Sequence, residues 1–192
     1  MKKIFAISIL TLLIVGFSAI PSMAYSSLAG DFMKACRTYD VPFPPENWDK
    51  ADLRVAAIEV LDLVNAGQVD EALASFCIKA IGYAGNPDDL PLILSYKDDM
   101  PSTVLRSLQG FAHPDAIKFL IGKLGSKEIN TRELASQSLG AMDFSKMEKP
   151  MNWYSTVESA LKTAYDKEKE QWLKDDIFEL MKNLKKPSVA TN

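Results

Sequence analysis

The sequence predicts an all-α protein, a short α-solenoid in which antiparallel helix pairs stack into an α-α superhelix. Apolar residues recur with helical spacing from residue 49 onward. A turn-plus-helix block occurs twice, and single glycines and prolines stand where helices would end and begin. In such an array each unit buries its apolar face only against its neighbours.

The first 24 residues have the three-part layout of a secretory signal peptide. Lys2 and Lys3 precede an apolar run over residues 4–17, and small residues lead up to Ala24. We therefore expect cleavage between Ala24 and Tyr25, a periplasmic or secreted product, and no stable membrane anchor afterwards. The alternative is an uncleaved anchor, which Pro21 and the short apolar run disfavour.

The composition limits the partners of the processed chain. Removing residues 1–24 leaves 168 residues, enough for one domain with its own core. It also removes Lys2 and Lys3, so the net charge of −3 becomes −5. Such a surface repels phosphate backbones, and nucleic acid is not an expected partner.

Two cysteines, Cys36 and Cys77, remain after processing. In an oxidising compartment they are expected to form a disulfide, which would close a loop of about 40 residues and contribute about 4 kcal/mol. The alternative is a pair of buried thiols, because both positions lie among apolar residues of helical segments.

The N-terminal region, residues 25–48, is expected to combine a short helix over residues 26–37 with a proline-rich strap over residues 38–48. Two helical patterns follow, and they end near Gly67 and Gly85, which suit left-handed C-terminal caps.

The clearest repeat places residues 80–94 over residues 107–121. In both copies a helix end and a short turn lead to a cap residue, Asn86 or His113, and then to a proline. The spacing predicts that Asn86 and His113 occupy equivalent places in the fold.

A second element recurs with a small or slim fourth residue and Leu or Ile at the eighth. Its copies are residues 54–61, 74–81, 101–108 and 132–139, and the first and last begin with arginine. With final helices over residues 153–167 and 170–185, the repeat domain covers residues 49–186, and residues 187–192 form a tail.

Residues 86–92 and 132–140 resemble the turn and first-helix signatures of short HEAT-like repeats typified by phycobilin lyase subunits. The resemblance covers roughly residues 51–142. It implies an armadillo-like helical fold that serves many unrelated functions.

We expect a protein-protein interaction scaffold for an unknown protein or peptide. The alternatives are a lyase-like enzyme or enzyme subunit related to bilin-handling proteins, and a structural envelope protein that self-associates as a homo-oligomer.

Residue types required for most catalytic sites are scarce. His113 is the single histidine, which excludes a multi-histidine metal site and leaves no second candidate for a nucleophile's base. The sequence contains no EF-hand loop and no glycine-rich phosphate loop. We therefore expect no catalytic residue, no cofactor and no metal.

The expected binding face is formed by the second helices, residues 87–96, 114–123 and 153–167. Tyrosine and tryptophan are enriched at binding surfaces, and aromatic residues near helix ends are the preferred candidates. In contrast, Trp172 and Phe178 follow apolar stripes and are expected in the core. The candidate binding residues are Tyr83, Tyr96, Phe111, Lys118, Trp153 and Tyr154.

Overall fold

The computed structural model describes residues 25–38 and 48–187, and within them it contains helices and no strand. The predicted signal peptide, most of the predicted strap and the tail after residue 187 lie outside the described residues. The all-α prediction is confirmed. The helices are α1 (Ser27–Cys36), α2 (Lys50–Asn65), α3 (Leu73–Ala84), α4 (Leu90–Ser95), α5 (Pro101–Ser107), α6 (Pro114–Lys123), α7 (Ile129–Gly140), α8 (Pro150–Lys167) and α9 (Gln171–Asn183).

The packing follows the order of the chain. Helices α3, α5, α7 and α9 contact one another in succession, while α2 packs on α3, α6 on α7 and α8 on α9. Helix α1 packs on α2, so the N-terminal helix belongs to the same core as the repeats. The largest fully buried side chains are Phe32, Phe111, Phe144, Leu53, Leu61, Ile78, Ile81, Ile93, Leu108, Ile117, Leu120 and Leu139.

The two repeated cap residues have the same local role. The Asn86 side-chain oxygen accepts a hydrogen bond from the backbone N–H of Asp88 at 3.2 Å. His113 Nδ1 accepts one from the backbone N–H of Asp115, also at 3.2 Å. Each residue is followed by a proline in the first turn, where the missing N–H is not needed. Asn86 begins a 3-10 turn leading into α4, whereas His113 begins α6 directly.

Two glycines end helices as the sequence predicts. Gly67 has a φ of 67° and Gly85 a φ of 70°, both in the left-handed region that glycine adopts without a steric penalty. The N–H of Gly85 bonds to the carbonyl of Ile81 and closes the last turn of α3.

Helices α3 and α5 approach each other closely because small residues occupy the crossing. A Cβ placed on Gly82 would lie 2.5 Å from Ser107 Cβ and 2.7 Å from the Ser107 carbonyl oxygen. Gly110, in the 3-10 turn Leu108–Gly110 after α5, lies against the carbonyl of Gly82. Any side chain at Gly82 or Gly110 would separate the two backbones.

The predicted Cys36–Cys77 disulfide is absent: both residues are free cysteines with buried side chains. Burial raises the pKa of each thiol to about 12, and their electrostatic interaction further raises that of Cys77. The buried-thiol alternative describes this structure, because both side chains are part of the apolar core.

The crossing of α3 and α5 gives a direct test of the packing. Gly82→Ala is expected to lower the free energy of unfolding by about 1–3 kcal/mol, because the new methyl group meets the backbone of Ser107. Gly122→Ala in α6 is the matched control. A Cβ at Gly122 meets nothing within 4 Å, and alanine favours helix by about 0.5–1 kcal/mol. Urea unfolding measures both, and equal effects would contradict the close crossing.

Candidate functional site

A partly buried ion pair connects α2 to the start of α4. Arg54 Nε donates to Asp89 Oδ2 at 2.5 Å, and its Nη2 donates to Oδ1 at 2.6 Å. The Asp89 side chain is only 6% exposed. Such two-point pairing fixes the carboxylate plane as well as its distance, so the contact positions α2 relative to α4.

A second ion pair of the same geometry lies further along the chain. Arg132 of α7 donates from Nε and Nη2 to the two oxygens of Glu168, at 2.8 and 2.9 Å. Its remaining nitrogen, Nη1, donates to the carbonyls of Ser126 and Lys127. The Glu168 side chain, which is 3% exposed, also accepts from the backbone N–H groups of Lys169 and Glu170.

These pairs give the recurring arginines a structural role. Arg54 and Arg132 each lead a copy of the same helical element, and each pairs with a carboxylate in the segment after the next helix along the chain. The repeated helical element contains both arginines, whereas no repeat in the sequence marks Asp89 and Glu168. The signal was present as similar separations, 35 residues in the first pair and 36 in the second.

A recess with a basic lining lies beside the close crossing of α3 and α5. We call it the basic recess; its volume is about 520 Å³. Gly82, Ser107 and Gly110 line it where the two backbones meet. Its charged and aromatic lining consists of Lys50, Lys79, Tyr83, Arg106, Asp143 and Lys146.

The cations of the basic recess are exposed and only partly paired. Lys50 Nζ donates to the carbonyl of Tyr83 at 3.1 Å and lies 4.5 Å from the centre of the Tyr83 ring. Lys146 lies 3.6 Å from Asp143, whose pKa is held below its usual value by the hydrogen bond from the Ser145 hydroxyl. Arg106 has no carboxylate within ion-pair distance among the described residues. Four cations therefore face one carboxylate.

A larger opening, which we call the interhelical cavity, lies where α6, the start of α7 and the end of α8 meet. Its volume is about 790 Å³. The ion pair between Arg132 and Glu168 is part of its wall. It is larger than the basic recess, and the two share no lining residue.

The structure separates the six predicted binding residues. Tyr83 is 48% exposed and lines the basic recess, as a binding residue could. Phe111 and Tyr154 are buried and present little surface to a partner: Phe111 is fully enclosed by the core, and the Tyr154 ring packs edge-on against Phe144.

The other candidates have local contacts. The Tyr96 hydroxyl donates to the Asn65 side chain at 2.9 Å, and Lys118 pairs with Asp115 at 3.3 Å. Trp153 is half-buried at the edge of the core. The structure therefore does not gather the six predicted residues at one site.

Two aromatic residues expected in the core are exposed instead. Trp172 is 47% exposed and Phe178 is 43% exposed, although both lie on α9 near buried Leu173 and Ile177. Helix α9 packs against α7 and α8, and its buried stripe is narrower than the sequence pattern indicates. The Phe178 ring rests on Tyr165 with centroids 5.9 Å apart.

Comparison with known proteins gives no match: no protein-family model, no curated protein and no solved structure is significantly similar to this chain. Within residues 25–38 and 48–187, no three histidine, cysteine or acidic side chains are grouped as metal ligands. In the same residues, no helix has both the length and the apolar character to cross a bilayer.

The Arg132–Glu168 pair predicts an acid-dependent loss of stability. Hydrogen bonds from Arg132, and then from the backbone, lower the pKa of Glu168 from its ordinary value of 4.5 to about 2. A carboxylate with a lowered pKa stabilises the fold above its unfolded value, and this contribution disappears as the pH falls from about 4.5 to about 2. It amounts to about 3 kcal/mol, because one pKa unit corresponds to about 1.4 kcal/mol.

Urea unfolding at several pH values measures this loss. Glu168→Gln should be less stable at neutral pH and should lack that part of the pH dependence. Glu179→Gln, at an exposed position of α9, is the control and should behave like the parent protein. A Glu168→Gln protein with the parent's pH profile would contradict the assignment.

Proposed function

We propose that this chain is an exported, non-catalytic protein-binding scaffold that holds an acidic segment of a partner protein in the basic recess. The observation that carries the proposal is the convergence of four cations, Lys50, Lys79, Arg106 and Lys146, on one opening. The whole chain has a net charge of −3, so the positive charge at the recess is opposite in sign to the net charge of the protein.

The residue types at the basic recess favour a peptide over a compact anion. Tyr83 offers an exposed ring at the rim, and tyrosine and arginine are enriched at protein interfaces. Carboxylate side chains spaced along a peptide could contact several of the cations at once. The recess is open, which suits a bound chain whose ends continue beyond it.

The helical arrangement supports a scaffold role. We infer a HEAT-like solenoid, in which α3, α5, α7 and α9 form one row and the intervening helices form a second. In such an array, helices of one row point the same way, so their C-terminal ends lie along one edge. The basic recess, beside the ends of α3 and α5, would lie on that edge.

A structural role for the same cations makes a different prediction. Cations near helix C-termini stabilise the last carbonyls by up to about 1 kcal/mol each at exposed positions, and Arg106 lies in the last turn of α5. If this were their whole purpose, removing them would lower stability without changing any affinity. Binding and stability must therefore be measured on the same variants.

Export is the first part of the proposal to test. When the full chain is expressed in a bacterial host with an outer membrane, the purified protein should begin at Tyr25, because the small residues before it fit the signal-peptidase site. N-terminal sequencing of the periplasmic fraction and the medium measures this. A protein that retains Met1 and stays in the cytoplasm would contradict export.

Binding at the basic recess is tested with an oligoglutamate peptide and the variant Lys79→Gln/Arg106→Gln. The peptide's dissociation constant should rise about tenfold, because each exposed charge pair contributes up to about 1 kcal/mol. The control, Lys162→Gln/Lys185→Gln, removes the same charge from exposed positions outside the recess and should bind like the parent protein. Isothermal titration calorimetry measures binding, and thermal unfolding measures stability.

The outcomes separate the competing explanations. Equal weakening in both variants would mean that only net charge matters, and a lower melting temperature with unchanged affinity would mean a helix-capping role. A single-stranded oligonucleotide that binds as tightly as the peptide would overturn the acidic-segment proposal. Each of these results would leave no support for the basic recess as a peptide site.

A further inference from the structure

The interhelical cavity lies between helices that pack on different partners. Helix α6 packs mainly on α7, whereas α8 packs mainly on α9, and α6 and α8 meet only sparingly. The opening of about 790 Å³ lies between them and falls within the range of small-molecule sites. Cavity and basic recess share no lining residue.

Two glycines leave one side of the cavity unfilled. A Cβ added to Gly122 or to Gly125 would meet no atom within 4 Å, and neither glycine has a left-handed φ. Neither backbone conformation nor close packing therefore requires glycine at these positions, in contrast to Gly82. Glycine here keeps open a space that an ordinary side chain would narrow.

The inner surface of the cavity is largely apolar. It is formed by two helix faces and the turn that joins α6 to α7. An apolar surface of this kind favours an apolar ligand body, because water is released when the ligand enters. The apolar lining residues are Ile121, Leu124, Ile129, Ala160 and Ala164.

The rim of the cavity, in contrast to its inner surface, carries charged side chains. Lys127, Lys167 and Lys169 line it, and their side chains are exposed. In the part of the chain that the structure describes, none of the three has a carboxylate within ion-pair distance. Glu168 is engaged by Arg132, which leaves Glu170 as the other acidic residue in the lining. The rim is therefore net positive.

We propose that the interhelical cavity binds a small amphipathic carboxylate, with its apolar body against the helix faces and its carboxylate at the three lysines. The combination of an apolar wall with unpaired cations at the mouth matches this class of ligand. A polyanion would leave the apolar wall uncovered, and a neutral lipid would leave the lysines without a partner. This site goes beyond the proposed peptide scaffold and does not depend on it.

The Arg132–Glu168 pair would give the site a fixed wall. Both side chains line the cavity, and each has its hydrogen-bonding capacity used within the protein. Arg132 is therefore not available as the main carboxylate ligand, and this role falls to the lysines. The pair instead holds the start of α7 against the segment between α8 and α9.

The test uses the full processed chain and three probes of equal length: dodecanoate, dodecan-1-ol and dodecylammonium, all below the concentration at which they form micelles. Calorimetry should show dodecanoate binding about tenfold more tightly than the alcohol, and the ammonium compound most weakly. The variant Lys127→Gln/Lys167→Gln/Lys169→Gln should bind the acid and the alcohol equally. The charge-matched control, Lys34→Gln/Lys162→Gln/Lys185→Gln, should keep the preference for the acid.

A second variant tests the space itself. Gly122→Leu places a side chain where the structure has open room, so it should fold with an unchanged or higher melting temperature and lose dodecanoate affinity at least tenfold. Oligoglutamate binding should be unchanged in this variant, which separates failure at the cavity from failure at the basic recess. Full dodecanoate affinity in Gly122→Leu, or tighter binding of the ammonium compound than of the acid, would overturn the proposal.

Discussion

The close contact of α3 with α5 through Gly82, Ser107 and Gly110 fixes the backbones that line the basic recess. It brings two helix backbones closer together than any larger residue would allow. The basic recess lies directly beside this contact, because all three residues line it, and long basic side chains from neighbouring segments surround it. The same small residues therefore set a packing distance in the core and form part of the wall of a surface recess.

The two arginine-carboxylate pairs join residues that are further apart in the sequence than the residues at the crossing of α3 and α5. Each joins a helix to the segment that follows the next helix along the chain, Arg54 to Asp89 and Arg132 to Glu168. Buried ion pairs add little net stability compared with apolar contacts, but their two-point geometry restricts how the joined segments are oriented. Among helices that pack through nonspecific apolar surfaces, such pairs favour one relative placement. In its first and last copies, the repeated helical element therefore contains a repeated interaction, the arginine-carboxylate pair, in addition to its repeated apolar positions.

Local signals made the helices predictable, whereas the sites depend on contacts across the chain. Helix α6 spans residues 114–123 as predicted, because His113, Pro114 and the apolar period are all local features. Burial of Phe111 and exposure of Phe178 depend on helices distant in sequence, and periodicity alone does not contain that information. Of the proposed binding residues, Tyr83 lines an opening, while its cationic neighbours come from four separate segments of the chain.

The redox state of the two free cysteines depends on whether the chain folds before it meets an oxidant. Burial encloses both sulfur atoms and keeps them protonated, and a protonated thiol is a poor nucleophile. An oxidant would reach them readily only before the chain has closed around them. Chains that collapse quickly would keep two thiols, and chains that meet an oxidase first would carry a bond. The redox state of the purified protein would then record which of the two events came first.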